Sequence, residues 1–227
     1  MSDQFENADI FWRDDKIPVA RRFDDPYFSL QDGLAETRFV FMNGNGLPDR
    51  FYPGFHIAEL GFGTGLNLLC AWKAWIDAGF ETPLKFTSFE AFPMRLDEMS
   101  RVHAQWPELA QLATNFATNW DPETGRLNCK TLVADVIYGD ARVCLPNWHG
   151  QADAWFLDGF SPAKNPDMWE RDLLRCVAQK TAPRGSFATY TAAGHVRKAL
   201  ASAGFEVKRV PGYGRKRHMT SGHLKSE

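Results

Sequence analysis

The stretch AELGFGTGLNLL (58–69) constrains the architecture of this chain more than any other. Before it, HIAEL (56–60) is a short apolar run. After it, LNLLCAWKAWIDAG (66–79) has helical apolar spacing and ends on a glycine cap. Gly61, Gly63 and Gly65 stand between the two. A strand-to-helix turn of this kind needs backbone angles, and a closeness to ligand, that side chains would obstruct.

The alternation continues downstream. LKFTSFE (84–90) reads as a strand, and MRLDEMSRVHAQW (94–106) as a helix stopped by Pro107. Residues 107–128 form a polar insertion with helical character around ELAQLATNF. TLVADVIYGD (131–140) and DAWFLDGF (153–160) are strand-like. A helix near 167–181, a strand GSFATYT (185–191) and a helix at 193–203 follow. FEVKRV (205–210) and RKRHMT (215–220) close the chain as a hairpin around PGYG. The reading is α/β: a mostly parallel, Rossmann-like sheet with helices on both faces and a C-terminal antiparallel hairpin. That hairpin is the usual mark of the class I methyltransferase fold. Residues 1–55 are rich in turns and aromatics, and FSLQDGLAETRFVF (28–41) reads as a β-hairpin. They are taken as a small β-rich N-terminal extension to a main domain at 56–227.

At 227 residues, this is one domain with a small appendage. A hydrophobic fraction of 44% excludes disorder, and no apolar run approaches a membrane span. The acidic start, MSDQFENADIFWRDD, is not a signal peptide. Cys70, Cys129, Cys144 and Cys176 form no CxxC pair and read as buried thiols in a reducing cytoplasm. The six histidines show no HExxH and no paired ligand spacing, so no metal site is expected.

Two ligands compete for the glycine turn. A dinucleotide fingerprint wants its third glycine three residues after the second, where this chain has Leu66. Glu59 would also repel a pyrophosphate, but it suits a ligand carrying an ammonium and a sulfonium. Glu90 ends the second strand, where a carboxylate can accept both ribose hydroxyls. Asp140, in YGDAR, ends the third and can accept the adenine amino hydrogen. Each acid alone has a plainer reading as a solvated turn residue. Three at successive strand ends favour S-adenosylmethionine (SAM). Asn67 and Ala141, beside the first and third of these turns, complete the cofactor set.

A fourth strand end carries Asp158, followed by Gly-Phe-Ser-Pro. This resembles the acid–x–x–aromatic turns of amino-group methyltransferases, where an amine attacks a sulfonium methyl. A carboxylate beside that nitrogen stabilises its developing charge and can take the released proton. The same carboxylate favours the unreactive ammonium, so Asp158 is foremost a positioner. Its plainer reading is a helix N-cap. Phe160, Trp169 and Tyr190 offer stacking faces for a base, although core packing would explain any one of them. Lys164 and Asn165 sit in a polar turn suited to phosphate or base edges, or simply to solvent.

The net charge of −2 conceals a gradient. Residues 1–32 hold eight acids and four bases; residues 195–227 hold eight bases and two acids. The basic tail includes Arg197, Lys198, Lys208, Arg209 and the run Arg215-Lys216-Arg217. Local positive fields, not net charge, bind phosphate backbones.

Taken together, FDDPYFSLQDGLAETRFVF, ELGFGTGLN, SFEAFP, WPEL, YGDAR, AWFLDGFSPAKNPDMW, ATYTAAGHVRKAL and PGYGRKRHM resemble the MnmC-type family of tRNA methyltransferases. The resemblance runs from about residue 12 to 220. It implies SAM-dependent methylation of 5-aminomethyl-2-thiouridine at the wobble position. Gly61, Gly63, Gly65, Glu90 and Asp140 would then serve the cofactor and Asp158 the amine. Phe160, Lys164, Asn165, Tyr190, Arg215, Lys216 and Arg217 would face the tRNA anticodon loop. Bifunctional members add an FAD-dependent oxidoreductase domain. This chain stops at Glu227, which suggests a stand-alone or excised methyltransferase working with a separate oxidoreductase. The competing readings are an N-methyltransferase for a small-molecule amine, a nicotinamide-dependent oxidoreductase and a catalytically silent tRNA-binding module.

Overall fold

A computed structural model describes residues 6–29 and 31–225; part of the acidic N-terminal stretch, residues 1–5, lies outside them. The chain opens with β1 (Ile10–Arg13), β2 (Ile17–Ala20) and β3 (Asp25–Pro26), a small antiparallel sheet. It continues through α1 (Gly33–Thr37), β4 (His56–Leu60), α2 (Leu66–Asp77), β5 (Leu84–Glu90), α3 (Leu96–His103) and α4 (Ala110–Asn119). Next come β6 (Arg126–Cys129), β7 (Leu132–Tyr138), α5 (Ala141–Asn147), β8 (Ala152–Leu157) and α6 (Arg171–Gln179). The chain ends with β9 (Thr181–Thr189), α7 (Gly194–Ser202), β10 (Phe205–Pro211) and β11 (His218–Leu224).

The main sheet runs β10-β11-β9-β8-β4-β5-β7-β6. Its five central strands, β9 to β7, are parallel. β6 pairs antiparallel at one edge, and β11 and β10 at the other. This is the expected architecture, with its terminal hairpin. Near-continuous apolar strands such as Ala152–Leu157 are buried on both faces, as a covered parallel sheet requires. One apolar cluster joins the sheet to α2 and α4, and a second joins it to α6 and α7. From β4 the chain builds outward through β5 and β7, then returns to place β8 on the other flank of β4. Ligands bind at such a reversal, beyond the carboxyl ends of the strands.

Two local expectations are corrected. FSLQDGLAETRFVF is not a hairpin: its second half is α1, continued by a π-helical turn over Arg38–Met42. The QDG signal marks a helix cap, because the Asp32 side chain accepts the Ala35 N–H at 3.0 Å. Leu34, Val40 and Phe41 are all buried, and helical geometry brings them onto the main core. The RKR run also differs, lying in the turn between β10 and β11, since β11 begins only at His218. Two elements escaped the sequence reading: β6 inside the polar insertion, and α5, short and interrupted by Pro146.

The N-terminal sheet spans the mouth of the main sheet. The Ala8 N–H donates to the Pro93 carbonyl at 3.0 Å, beyond β5. The Arg22 guanidinium lies over Phe92 at 4.4 Å, and Phe23 stacks on Phe160 at 4.8 Å, beyond β8. Because Leu34 is part of the main core, Leu34→Ala should cost about 2–5 kcal/mol. In urea denaturation the whole cooperative transition should move to lower concentration. A main transition left in place would contradict the shared core.

Candidate functional site

Asn67, in the first turn of α2, ties the strand ends together. Its amide nitrogen donates to Glu59 Oε1 at 2.8 Å and to Asp158 Oδ2 at 2.7 Å. Its carbonyl accepts the Thr37 hydroxyl at 2.9 Å, so α1 is fixed to the same point. An amide has two N–H donors, and here both serve carboxylates. Glu59 is fully buried and takes a second bond from the Ser88 hydroxyl at 2.8 Å. Burial pushes the Glu59 carboxyl well above the ordinary carboxylate range, against the opposing pull of Asn67. Burial likewise pushes Asp158 up to about 7, again opposed by Asn67.

The glycine turn lies against this group. Gly61 has φ +88°, and a Cβ there would stand 2.7 Å from the Asp158 carbonyl oxygen. Gly63 (φ +52°) packs against the Tyr27 ring. From α3, buried His103 donates through Nε2 to the Thr64 carbonyl at 2.7 Å, with its pKa lowered by burial to about 4. The Gly63 N–H is already given to Glu90 Oε2 (2.9 Å), and Glu90 Oε1 accepts the Phe92 N–H (2.8 Å). A turn whose N–H groups face a carboxylate is poorly prepared for pyrophosphate. It suits a cationic ligand, and these residues fit SAM on that ground.

A cavity of about 850 Å³ opens beside the turn. Its lining includes Gly61, Gly63, Glu90, Asp140, Ala141 and Arg142 from the ends of β4, β5 and β7 and the start of α5. It also includes Glu36, Asp158, Phe160, Tyr190, Arg215 and Lys216 from α1, the loops after β8 and β9, and the turn before β11. Asp140 caps α5 by accepting the Arg142 N–H at 2.8 Å, and its Oδ2 also pairs with that guanidinium at 2.6 Å. The guanidinium holds the Asp140 carboxyl below its usual range. Arg142 reaches on to Asp167 at 3.0 Å, bridging the α5 cap to the loop after β8. Phe160 meets the Tyr27 edge at 5.0 Å, and the Tyr190 hydroxyl donates to the Gly159 carbonyl at 2.8 Å.

Most residues singled out from the sequence therefore converge. Gly61, Gly63, Asn67, Glu90, Asp140, Ala141, Asp158, Phe160, Asn165, Tyr190, Arg215 and Lys216 all line the cavity. Gly65 (φ +73°) stands behind the wall as the N-cap residue of α2. Glu59, Lys164 and Arg217 are outside the lining. Glu59 lies behind Asn67. Lys164 turns away to the Asp24 carbonyl and the Asp25 carboxylate, strapping the N-terminal sheet to the loop after β8. Arg217 is exposed. Trp169 is core and donates to the Phe160 carbonyl at 2.8 Å. Sequence reasoning missed Tyr27, Glu36, His103 and Arg142. Glu36 was hidden because its cationic partner is Lys216, 180 residues away.

Gly61→Ala should weaken binding of the nucleoside cofactor at least tenfold by calorimetry, because the new Cβ meets backbone at a positive φ. Unchanged affinity would show that this turn does not cradle it. Asp158→Asn tests the acid beside it. Stability that Asp158 lends at low pH is lost between about pH 4 and 7, as the buried acid ionises. The neutral variant should therefore melt no lower than the parent at pH 8, and a clear drop in Tm would contradict the burial account.

Comparison with known proteins matches this geometry. A family model described as "S-adenosyl-L-methionine-dependent methyltransferase" matches residues 104–225. The "tRNA 5-methylaminomethyl-2-thiouridine biosynthesis bifunctional protein MnmC" of Chromohalobacter salexigens is 43% identical over 229 residues, 95% of this chain and 33% of that protein. The protein of the same name from Vibrio cholerae is 43% identical over 237 residues, 96% of this chain and 35% of the relative. The chain thus spans about a third of the length of the curated relatives it matches. MnmC2 of Aquifex aeolicus superposes with a TM-score of 0.77 at 25% identity, covering 99% of this chain and 72% of the other. Spermidine synthase of Thermotoga maritima shares the fold at a TM-score of 0.55 and 13% identity, with 100% of this chain and 72% of that one covered. With the family model covering more than half of its length, the chain belongs to the S-adenosyl-L-methionine-dependent methyltransferases.

Proposed function

We propose that this chain methylates the amino nitrogen of 5-aminomethyl-2-thiouridine at the tRNA wobble position. The observation that carries the proposal is Asp158, held by Asn67 at the floor of a cavity with aromatic walls and a basic rim. The 43% identity to relatives named for this modification supports the substrate assignment. Residues 56–227 are taken as the catalytic unit and 1–55 as its N-terminal extension, whose small sheet covers the mouth. The tRNA anticodon loop is the macromolecular partner. An FAD-dependent oxidoreductase is the functional partner that supplies the aminomethyl group, and the setting is cytoplasmic. Among the described residues no helix is long and apolar enough to cross a membrane.

The cofactor, when bound, supplies a sulfonium methyl as electrophile. Gly61 and Gly63 would let its chain approach the backbone, Glu90 would accept the ribose hydroxyls, and Asp140 with Ala141 would meet the adenine edge. Gly65 starts the helix that carries Asn67, and Glu59 fixes the Asn67 amide. A wobble base is single-stranded and can be splayed into a pocket, where Phe160 and Tyr190 offer faces and Asn165 an amide. Asp158 Oδ2 is engaged by Asn67, which leaves Oδ1 for the acceptor amine. That oxygen orients the amine and receives the proton it must lose before its lone pair is free. With that proton passed on to solvent, the ionised carboxylate stabilises the positive charge that develops on nitrogen.

Only ionised Asp158 can act in this way. The free-enzyme profile of kcat/KM should therefore rise through about pH 7, with activity lost on the acid side. Asp158→Asn should remove that limb and lower kcat/KM at least about 100-fold. Near-parental turnover in the variant would refute the assignment. Arg197, Arg209, Arg215 and Arg217 would contact RNA phosphates. For about four such contacts, tRNA affinity should fall on the order of 50-fold between ~50 and ~200 mM salt. A flat salt response in a filter-binding assay would contradict a phosphate-binding rim.

A further inference from the structure

An ammonium already stands in the cavity wall. Lys216 Nζ is 2.9 Å from Glu36 Oε1 and 3.9 Å from the centroid of the Tyr190 ring. The two partners are built in. The Glu36 side chain is 11% exposed, and its other oxygen accepts the Ser29 N–H at 3.1 Å. Tyr190 is anchored through its hydroxyl to the Gly159 carbonyl. The cation is the peripheral member: the Lys216 side chain is 45% exposed and comes from the turn between β10 and β11. A fixed carboxylate beside an aromatic face is the chemistry that recognises an alkylammonium.

We propose that Glu36 and the face of Tyr190 form the subsite that recognises the substrate's primary alkylammonium, and that Lys216 fills this subsite in the RNA-free protein. The inference rests on the reading of the previous subsection. It adds a specificity-determining residue, Glu36, and a resident competitor. Lys216 is flanked by Arg215 and Arg217, both exposed and without an acidic partner among the described residues. RNA phosphates drawn to these two arginines pull on the turn that delivers Lys216. Once Lys216 leaves, Glu36 is a carboxylate without its counter-ion in the cavity wall, which is unfavourable until another cation arrives. A primary ammonium restores the pairing, whereas a uridine lacking the amine does not. The cage lies within electrostatic reach of Asp158: Glu36 raises that acid's pKa and Lys216 lowers it. An amine held by Glu36 thus shares the cavity with the group that takes its proton.

The test titrates two nucleosides, 5-aminomethyl-2-thiouridine and 2-thiouridine, into the chain saturated with S-adenosylhomocysteine. The parent, Lys216→Met and Glu36→Gln are compared at neutral pH. Lys216→Met should bind the aminomethyl nucleoside about tenfold more tightly and leave 2-thiouridine unchanged. Glu36→Gln should erase the preference for the amine. On aminomethyl-tRNA it should raise KM about tenfold or more, with kcat within about threefold. Glu36→Gln keeps an oxygen for the Ser29 N–H; should it nonetheless unfold, the exposed Lys216→Met variant decides alone. Amine affinity that is unchanged or weaker in Lys216→Met, or a preference retained in folded Glu36→Gln, overturns the proposal. A parent chain that leaves aminomethyl-tRNA unmethylated would instead refute the parent reading, because the nucleoside titrations do not depend on turnover.

Discussion

The site depends on one side-chain amide placed between two acids. Asn67 gives one hydrogen to Glu59 and the other to Asp158, and takes one from Thr37. Three elements are thereby held in fixed relation: the end of β4, the end of β8 and the helix α1. Both carboxyls are drawn upward by burial, and both are partly restrained by the same amide. Close approach makes the arrangement possible. Gly61 lets β4 turn against the Asp158 carbonyl, a gap that no Cβ would fit. The sheet reversal at β4 and β8 then puts the cavity directly above these groups.

A second layer surrounds this centre. The N-terminal sheet does not sit apart from the main domain; it bridges the ends of β5 and β8 through Phe92 and Phe160. Tyr27 reaches the glycine turn, and Lys164 ties the Asp24-Asp25 corner to the loop after β8. The acids at the front of the chain are therefore partly spent on structural ties. In the C-terminal turn Arg215 and Arg217 are exposed, while Lys216 turns in to Glu36. This is why net charge says little about partners here while the distribution of charge says much.

Much of this was legible in the sequence for a physical reason. Strand ends, glycine turns and buried apolar runs leave local patterns, so β4, α2, β5 and β8 and their terminal acids could be read directly. The terminal hairpin was legible too. Elements that depend on distant partners were not. QDG looked like a hairpin turn because Asp is favoured both in turns and at helix caps; only the burial of Leu34, Val40 and Phe41 decides between them. Glu59 was placed against the cofactor, yet its side chain turns behind Asn67, since neighbouring side chains on a strand point to opposite faces. Lys164 looked like a substrate contact because its acidic partners, Asp24 and Asp25, lie far earlier in the chain. The Glu36–Lys216 pair left no local trace at all.

We propose that Asp158, as positioned by Asn67, serves methyl transfer to an amine on a wobble uridine. Mass spectrometry of wobble nucleosides tests it most directly, after tRNA bearing 5-aminomethyl-2-thiouridine has been incubated with the chain and SAM. A mass gain of one CH2 on that nucleoside is expected with the parent chain and none with Asp158→Asn. An unmodified wobble nucleoside under conditions where the cofactor is bound, or an equal gain with Asp158→Asn, would contradict it.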